Sequence, residues 1–159
     1  MKTLYLIRHA KSSWKDPDLS DHDRLLNKRG KRDAPEMGRR LLKRQTIPDT
    51  MISSTANRAY TTAQIIAKEI DFPVDEIIPS SDLFHADPNE ILDTVHRISD
   101  AHQSAMIFGH NPGFTWAANK LANLQIDSIV AISFSVDSWS DVGFGKGKLA
   151  FYDYPKNLN

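Results

Sequence analysis

The stretch Thr3-Leu4-Tyr5-Leu6-Ile7 is too short for a helix of ordinary length and rich in β-formers, so it predicts a buried strand. The run stops abruptly at Arg8-His9. A guanidinium and an imidazole at the carboxyl end of a buried strand are costly unless something compensates their desolvation. In open α/β sheets the carboxyl ends of strands are where ligands sit. The first expectation is therefore that His9 is a nucleophile and that Arg8 holds an anion against it. An isolated Arg-His pair can equally be a solvated loop, so the weight rests on the remaining chain.

Further apolar runs alternate with helical patterns. Residues 11–26 (KSSWKDPDLSDHDRLL) read as a long loop marked by Pro17. Trp14 within it is read as a packing anchor, with a lip over a ligand as the alternative. Asn27 is a good N-cap for a helix reaching about Lys43, with Ala34, Met37 and Leu41 on one face. Pro35 is expected to kink that helix or shift its start. The string Lys28-Arg29-Gly30-Lys31-Arg32 is read as a solvated face. Thr50 to Ser53 is a second strand, and Ser54 or Thr55 is expected to cap a helix from Ala56 to about Ile70. Val74 to Ile78 is read as a short strand closed by Pro79. Asp87-Pro88-Asn89-Glu90 is a strong helix start, followed by the apolar stripe Ile91, Leu92, Val95 and Ile98.

Ala105 to Gly109 is another buried strand, ending at His110, and a helix is expected from Gly113 to about Leu124. Ala131 to Val136 and Lys148 to Tyr152 read as two final strands with no helix between them. The segment Gly143-Phe144-Gly145-Lys146-Gly147 lacks P-loop and Rossmann spacing and is read as a flexible hairpin loop. Strands alternating with helices specify an α/β class, a three-layer α/β/α sandwich with a mainly parallel sheet and an antiparallel edge.

Composition excludes several functions. Twenty basic and 20 acidic residues balance, which argues against general binding to nucleic acid or a membrane surface. No cysteine is present, so thiolate metal centres, disulfides and Cys-nucleophile phosphatase chemistry are excluded. The length of 159 residues suits one domain, 1–159. The first strand begins within three residues, leaving no room for a signal peptide, and no run approaches spanning length. The expectation is a soluble, cytoplasmic protein.

Three strand ends carry matching signals. One supplies Arg8-His9, a second Ser53-Ser54 with Arg58 one helical turn further on, and a third Gly109-His110-Asn111-Pro112-Gly113. If these strands are neighbours, two Arg and two His converge at one sheet edge, with no obvious acidic partner in the same motifs. A doubly charged phosphoryl group satisfies such a cluster. Two His could ligate a metal, but the motifs supply no carboxylate ligand and set two Arg beside them, so no metal and no cofactor are expected.

The ordered set Arg8-His9-Ala10-Lys11-Ser12-Ser13-Trp14, Leu26-Asn27-Lys28-Arg29-Gly30, Ser53-Ser54-Thr55-Ala56-Asn57-Arg58-Ala59 with Thr62-Ala63, and Gly109-His110-Asn111-Pro112-Gly113 resembles the histidine phosphatase superfamily. The branch it is most similar to is the small SixA-type phosphohistidine phosphatases, and the resemblance spans nearly the whole chain. It implies a phosphoglycerate-mutase-like fold and metal-free phosphoryl transfer through a phosphohistidine intermediate. By motif position it makes His9 the nucleophile and Arg8, Arg58 and His110 the phosphate pocket, with Ser12 and Asn111 as further substrate-binding candidates. Larger members carry an acidic proton donor in a stretch resembling Ser81-Asp82-Leu83-Phe84-His85. Here His85 stands at that position, which makes it a candidate acid.

The resulting expectation is a phosphohistidine phosphatase acting on a phosphohistidine-containing protein, for example a phosphotransfer domain. Two alternatives remain: a phosphomonoesterase for small phosphorylated substrates, and a non-catalytic phosphate-binding regulatory module. The intact His9 disfavours the module. The shortness of the chain, with little material for an enclosing lid, favours the protein substrate.

Overall fold

A computed structural model describes residues 1–125 and 128–157. Its centre is a six-stranded sheet in the order β3-β2-β4-β1-β5-β6. The strands are β1 (Lys2–Arg8), β2 (Thr50–Ser54), β3 (Ile78–Ser80), β4 (Ser104–Gly109), β5 (Ile129–Phe134) and β6 (Lys148–Asp153). The helices are α1 (Lys28–Lys43), α2 (Asn57–Glu69), α3 (Pro88–His96) and α4 (Gly113–Ala122). β1 pairs parallel with β4, β4 with β2, and β2 with β3, while β5 and β6 are antiparallel. The expected parallel sheet with an antiparallel edge is what forms.

Strand alternation divides the core between two layers. Leu4 and Leu6 of β1 and Ala105 and Ile107 of β4 face Ile91 and Val95 of α3 and Phe114 and Leu121 of α4. Ile7, Met106 and Phe108 face Met37 and Leu41 of α1 and Ile66 and Ile70 around α2. Both faces are covered, which is why β1 and β4 read as continuous apolar runs. Among the described residues, no helix is long and apolar enough to cross a membrane.

Several local expectations need correction. Pro35 lies inside α1, which still runs from Lys28 to Lys43, with the Asn27 side chain accepting from Gly30 N. Pro35 therefore does not move the start. α2 begins at Asn57 with Ala56 as a cap that makes no side-chain hydrogen bond, so neither Ser54 nor Thr55 caps it. Val74–Glu76 is a 3₁₀ turn, and the strand is Ile78–Ser80 with Pro79 inside it. β3 lies at the sheet edge beside β2, where a missing N–H is tolerated. α4 ends at Ala122, where Asn123 takes a left-handed conformation. The Gly143–Gly147 segment, between β5 and β6, is hydrogen-bonded to α4: Gly145 N donates to Lys120 O and Gly147 N to Leu121 O, supplying donors to the end of that helix. Asp87, Pro88 and Glu90 form the expected capping box of α3.

Candidate active site

β1 and β4 are adjacent, with Arg8 level with Gly109, and β2 pairs with the other edge of β4. That register brings the three strand ends together. Their side chains line one cleft of about 550 Å³, which includes Arg8, His9, Ser12, Asp21, Arg24, Arg58, His85, His110 and Asn111. All the residues singled out from the sequence are thus in one place.

His9 is held by its backbone. Its N donates to Gly109 O (3.0 Å), and the next amide, Ala10 N, donates to Thr62 Oγ1 (3.0 Å). Thr62 Oγ1 in turn donates to Arg58 O on α2 (2.7 Å). The His9 ring packs against that of His110, with centroids 5.3 Å apart. His9 Nδ1 lies 2.6 Å from Ala10 O. A carbonyl only accepts, so Nδ1 carries the proton and Nε2 keeps its lone pair. Burial pushes His9 down to about 4; the Ala10 bond acts against this, and the charges of Arg58, Arg8 and Arg24 add to it. The imidazole is therefore neutral and nucleophilic at pH 7.

His110 is 4% exposed and its Nε2 lies 2.8 Å from Ser54 Oγ. Ser54 Oγ already accepts from Ala56 N (3.2 Å), so its hydroxyl is free to donate to a neutral His110 and leave the proton on Nδ1. Burial, then the neighbouring His9, Arg58 and His85, push His110 down to about 3, with Asp21 acting the other way. Ser54 thus orients a ring in the site instead of capping α2.

Arg58 is 3% exposed, in the first turn of α2. Burial lowers its pKa and the nearby Asp21 charge opposes this. Among the described residues, two buried side-chain polar atoms have no hydrogen-bond partner: Arg58 Nε and His110 Nδ1. Both are N–H donors of residues that line the His9 cleft. Buried donors left unsatisfied are costly, and an anion that accepts from them removes the cost.

The sequence reading missed an acidic partner. Asp21, in a 3₁₀ turn (Asp21–Asp23) within the 11–26 loop, accepts from Arg24 Nη1 (2.9 Å) and Arg58 Nη2 (3.2 Å), and lies 2.9 Å from His85 Nε2. Its backbone carbonyl also accepts from Arg58 Nη1. Partial burial pushes Asp21 upward, but the Arg24 bond and the charge and bond of Arg58 outweigh it and hold the carboxyl at about 2. The loop itself is tied down by a bridge between Ser12 and Leu26 and by His22 Nε2, 2.9 Å from Thr55 Oγ1. Loop chemistry alone gave no sign of the Arg58 and His85 contacts, because those partners are 37 and 64 residues away.

The remaining candidates take different places. Ser12 Oγ accepts from Arg24 Nη2, and Asn111 Oδ1 accepts from Thr115 N (3.0 Å) and Thr115 Oγ1 (2.9 Å) in the first turn of α4. Both line the cleft, with those oxygens already engaged. His85 has φ of 56°, the left-handed region, and its ring packs 4.0 Å from that of Phe84. Trp14 is 76% exposed at the cleft mouth, with the Arg24 guanidinium 3.1 Å over its ring. Its exposure rules out the packing anchor and leaves the lip as the reading.

Residues 4–80 match the family described as "Histidine phosphatase superfamily (branch 1)". An uncharacterized chloroplastic protein of Arabidopsis thaliana is 31% identical over 133 residues, covering 79% of this chain; the chain spans 61% of that protein. A SixA structure from Agrobacterium tumefaciens shares 25% identity at a TM-score of 0.76, covering 84% of this chain and 92% of that one. The protein histidine phosphatase SixA complexed with tungstate superposes with a TM-score of 0.82 at 17% identity, over 99% of each chain.

Proposed function

Since the chain belongs to the histidine phosphatase superfamily and is SixA-like, we propose that it is a phosphohistidine phosphatase that works through a phosphorylated His9 and acts on a phosphohistidine-containing protein. The observation that carries this reading is a neutral, half-buried His9 whose Nε2 keeps its lone pair, in a cleft lined also by Arg58 and His110, each of which has a buried nitrogen without a partner, Arg58 Nε and His110 Nδ1.

His9 Nε2 attacks phosphorus as the bond to the substrate nitrogen breaks, so one P–N bond replaces another. Arg8, Arg58 and His110 hold the three peripheral oxygens as charge shifts across them. The leaving imidazole departs with a proton taken from solvent or carried on its second nitrogen. Water then attacks phosphorus, the bond to His9 breaks, and inorganic phosphate and neutral His9 are restored. Guanidinium and imidazole N–H groups supply the positive field, so the sequence needs no metal.

The substrate class follows from what can donate a proton. The carboxyl groups lining the cleft are Asp21 and Asp33. Asp21 is held at about 2 and is a carboxylate at neutral pH. Asp33 is engaged by Arg29 (3.6 Å) and Arg32 (3.2 Å). An alkoxide is a poor leaving group without an acid, whereas phosphoimidazole is not so limited. Hydrolysis of small phosphomonoesters is the second reading, favoured by His85, whose ring lines the cleft and could serve as an acid.

The deciding experiment measures kcat/KM for a phosphohistidine protein, an aryl phosphate and an alkyl phosphate. Preference for the first two over the alkyl ester is expected. Equal values for alkyl phosphate and phosphohistidine would move the assignment to the small-molecule phosphatase, and no turnover of any of them would leave only a phosphate-binding module.

A further inference from the structure

Asp21 is a carboxylate inside a site built to attract an anion, which ought to weaken that site. Its geometry explains why it is there. A guanidinium has an end-on edge, formed by Nη1 and Nη2, and a side-on edge, formed by Nε and the second hydrogen of Nη2. Asp21 binds both terminal nitrogens of Arg58, its backbone carbonyl receiving Nη1 and its Oδ2 receiving Nη2. The side-on edge is left with Nε buried and unpartnered. The same Oδ2 engages His85 Nε2, and Oδ1 engages Arg24 Nη1. One carboxylate therefore engages three cationic or protonatable side chains of the cleft wall without bonding to Arg58 Nε or His110 Nδ1.

Resting on the function proposed above, we propose that Asp21 is a positioning residue: it locks Arg58 end-on so that its Nε edge is presented to the phosphoryl group, and it sets the ring of His85 beside that group. Arg58 stands on α2 with a long, rotatable side chain, and ordering such a chain costs conformational entropy. Asp21 settles that cost in the resting protein, so that none falls on the transition state. At about 2 its own pKa keeps it charged throughout the working range. The 11–26 loop is thus part of the phosphate site although its residue does not touch the phosphate.

The test compares Asp21→Asn with wild type and with Asp23→Asn, which removes the same charge two residues away in the same turn. Readouts are kcat and KM on p-nitrophenyl phosphate, inhibition by inorganic phosphate, and the protection of the Arg58 Nε–H in proton–nitrogen NMR spectra. Asp21→Asn should lower kcat roughly 10- to 100-fold, while the inhibition constant of phosphate stays within about threefold or tightens, because a negative charge is lost. The Nε–H should lose its protection, and Asp23→Asn should match wild type. Asp21→Glu should recover part of kcat. A kcat within about threefold of wild type, an equal loss of kcat and phosphate affinity, or an unchanged Nε–H overturns the inference. If the wild type turns nothing over, the proposed function fails, and the NMR protection alone still decides whether Asp21 positions Arg58.

Discussion

His9 Nδ1 lies 2.6 Å from the carbonyl oxygen of Ala10, so the next residue in the chain fixes which imidazole nitrogen can react. The bond costs no distant partner and leaves Nε2 as the only nitrogen with a lone pair. His9→Ala is expected to abolish turnover and leave the fold intact. Rapid-quench labelling should find acid-labile phosphate on the wild type and none on the variant. Substantial residual activity in purified His9→Ala would remove it as nucleophile.

The low pKa of His9 predicts its titration. By NMR its imidazole should titrate near pH 4 rather than near 6.5. A midpoint at 6 or above would contradict the burial and the cationic surroundings that lower it.

Stability should fall on acidification. Unfolded, both imidazoles take up a proton near pH 6.5; folded, His9 stays neutral to about 4 and His110 to about 3. Between those limits the unfolded chain binds more protons, so lowering the pH favours unfolding, and above pH 7 these two groups contribute no slope. Asp21 acts in the same direction in a lower window, its contribution present above 3.8 and lost as pH falls toward 2. The Tm should drop between pH 7 and 4.5, and His110→Gln should flatten that drop. An equally steep drop in the variant would put its origin elsewhere.

Arg58→Lys should recover little of what Arg58→Ala loses. Loss of one preorganised donor costs about 3 kcal/mol of transition-state stabilisation, on the order of a hundredfold in kcat. An ammonium cannot present both the edge that Asp21 takes and the Nε edge. Near-full activity of the Lys variant in steady-state assays would show that Arg58 does not contact the phosphoryl group.

Gly109→Ala should destabilise the protein even though it lies in a strand. A Cβ there would stand 2.4 Å from Phe114 Cε1, a ring buried between the sheet and α4. Overpacking of this kind costs about 1–3 kcal/mol, visible as a lowered Tm. An unchanged Tm would mean that the ring can move aside freely.

Much of this arrangement was legible in the sequence because its signals are local. The apolar run 3–7, the capping residues of α3 and the Asn27 cap of α1 depend on neighbours within a few positions. The catalytic candidates were legible for a related reason: the carboxyl ends of adjacent parallel strands lie side by side, so residues placed there must meet. Pro79 and Ser54 show where local rules fail. Pro79 is accepted because its strand is at an edge, and Ser54 serves His110 across 56 positions rather than its own helix. The sequence by itself determined the α/β class, which residues stand at the strand ends and the identity of the histidine nucleophile candidate. Only the tertiary structure decided what surrounds them: that Ala10 sets the tautomer of His9, that Arg58 Nε and His110 Nδ1 are left without partners, and that a loop carboxylate, Asp21, stands among three basic side chains. Those are matters of which groups share a desolvated space, and chain position does not encode that until the sheet has brought its strand ends together.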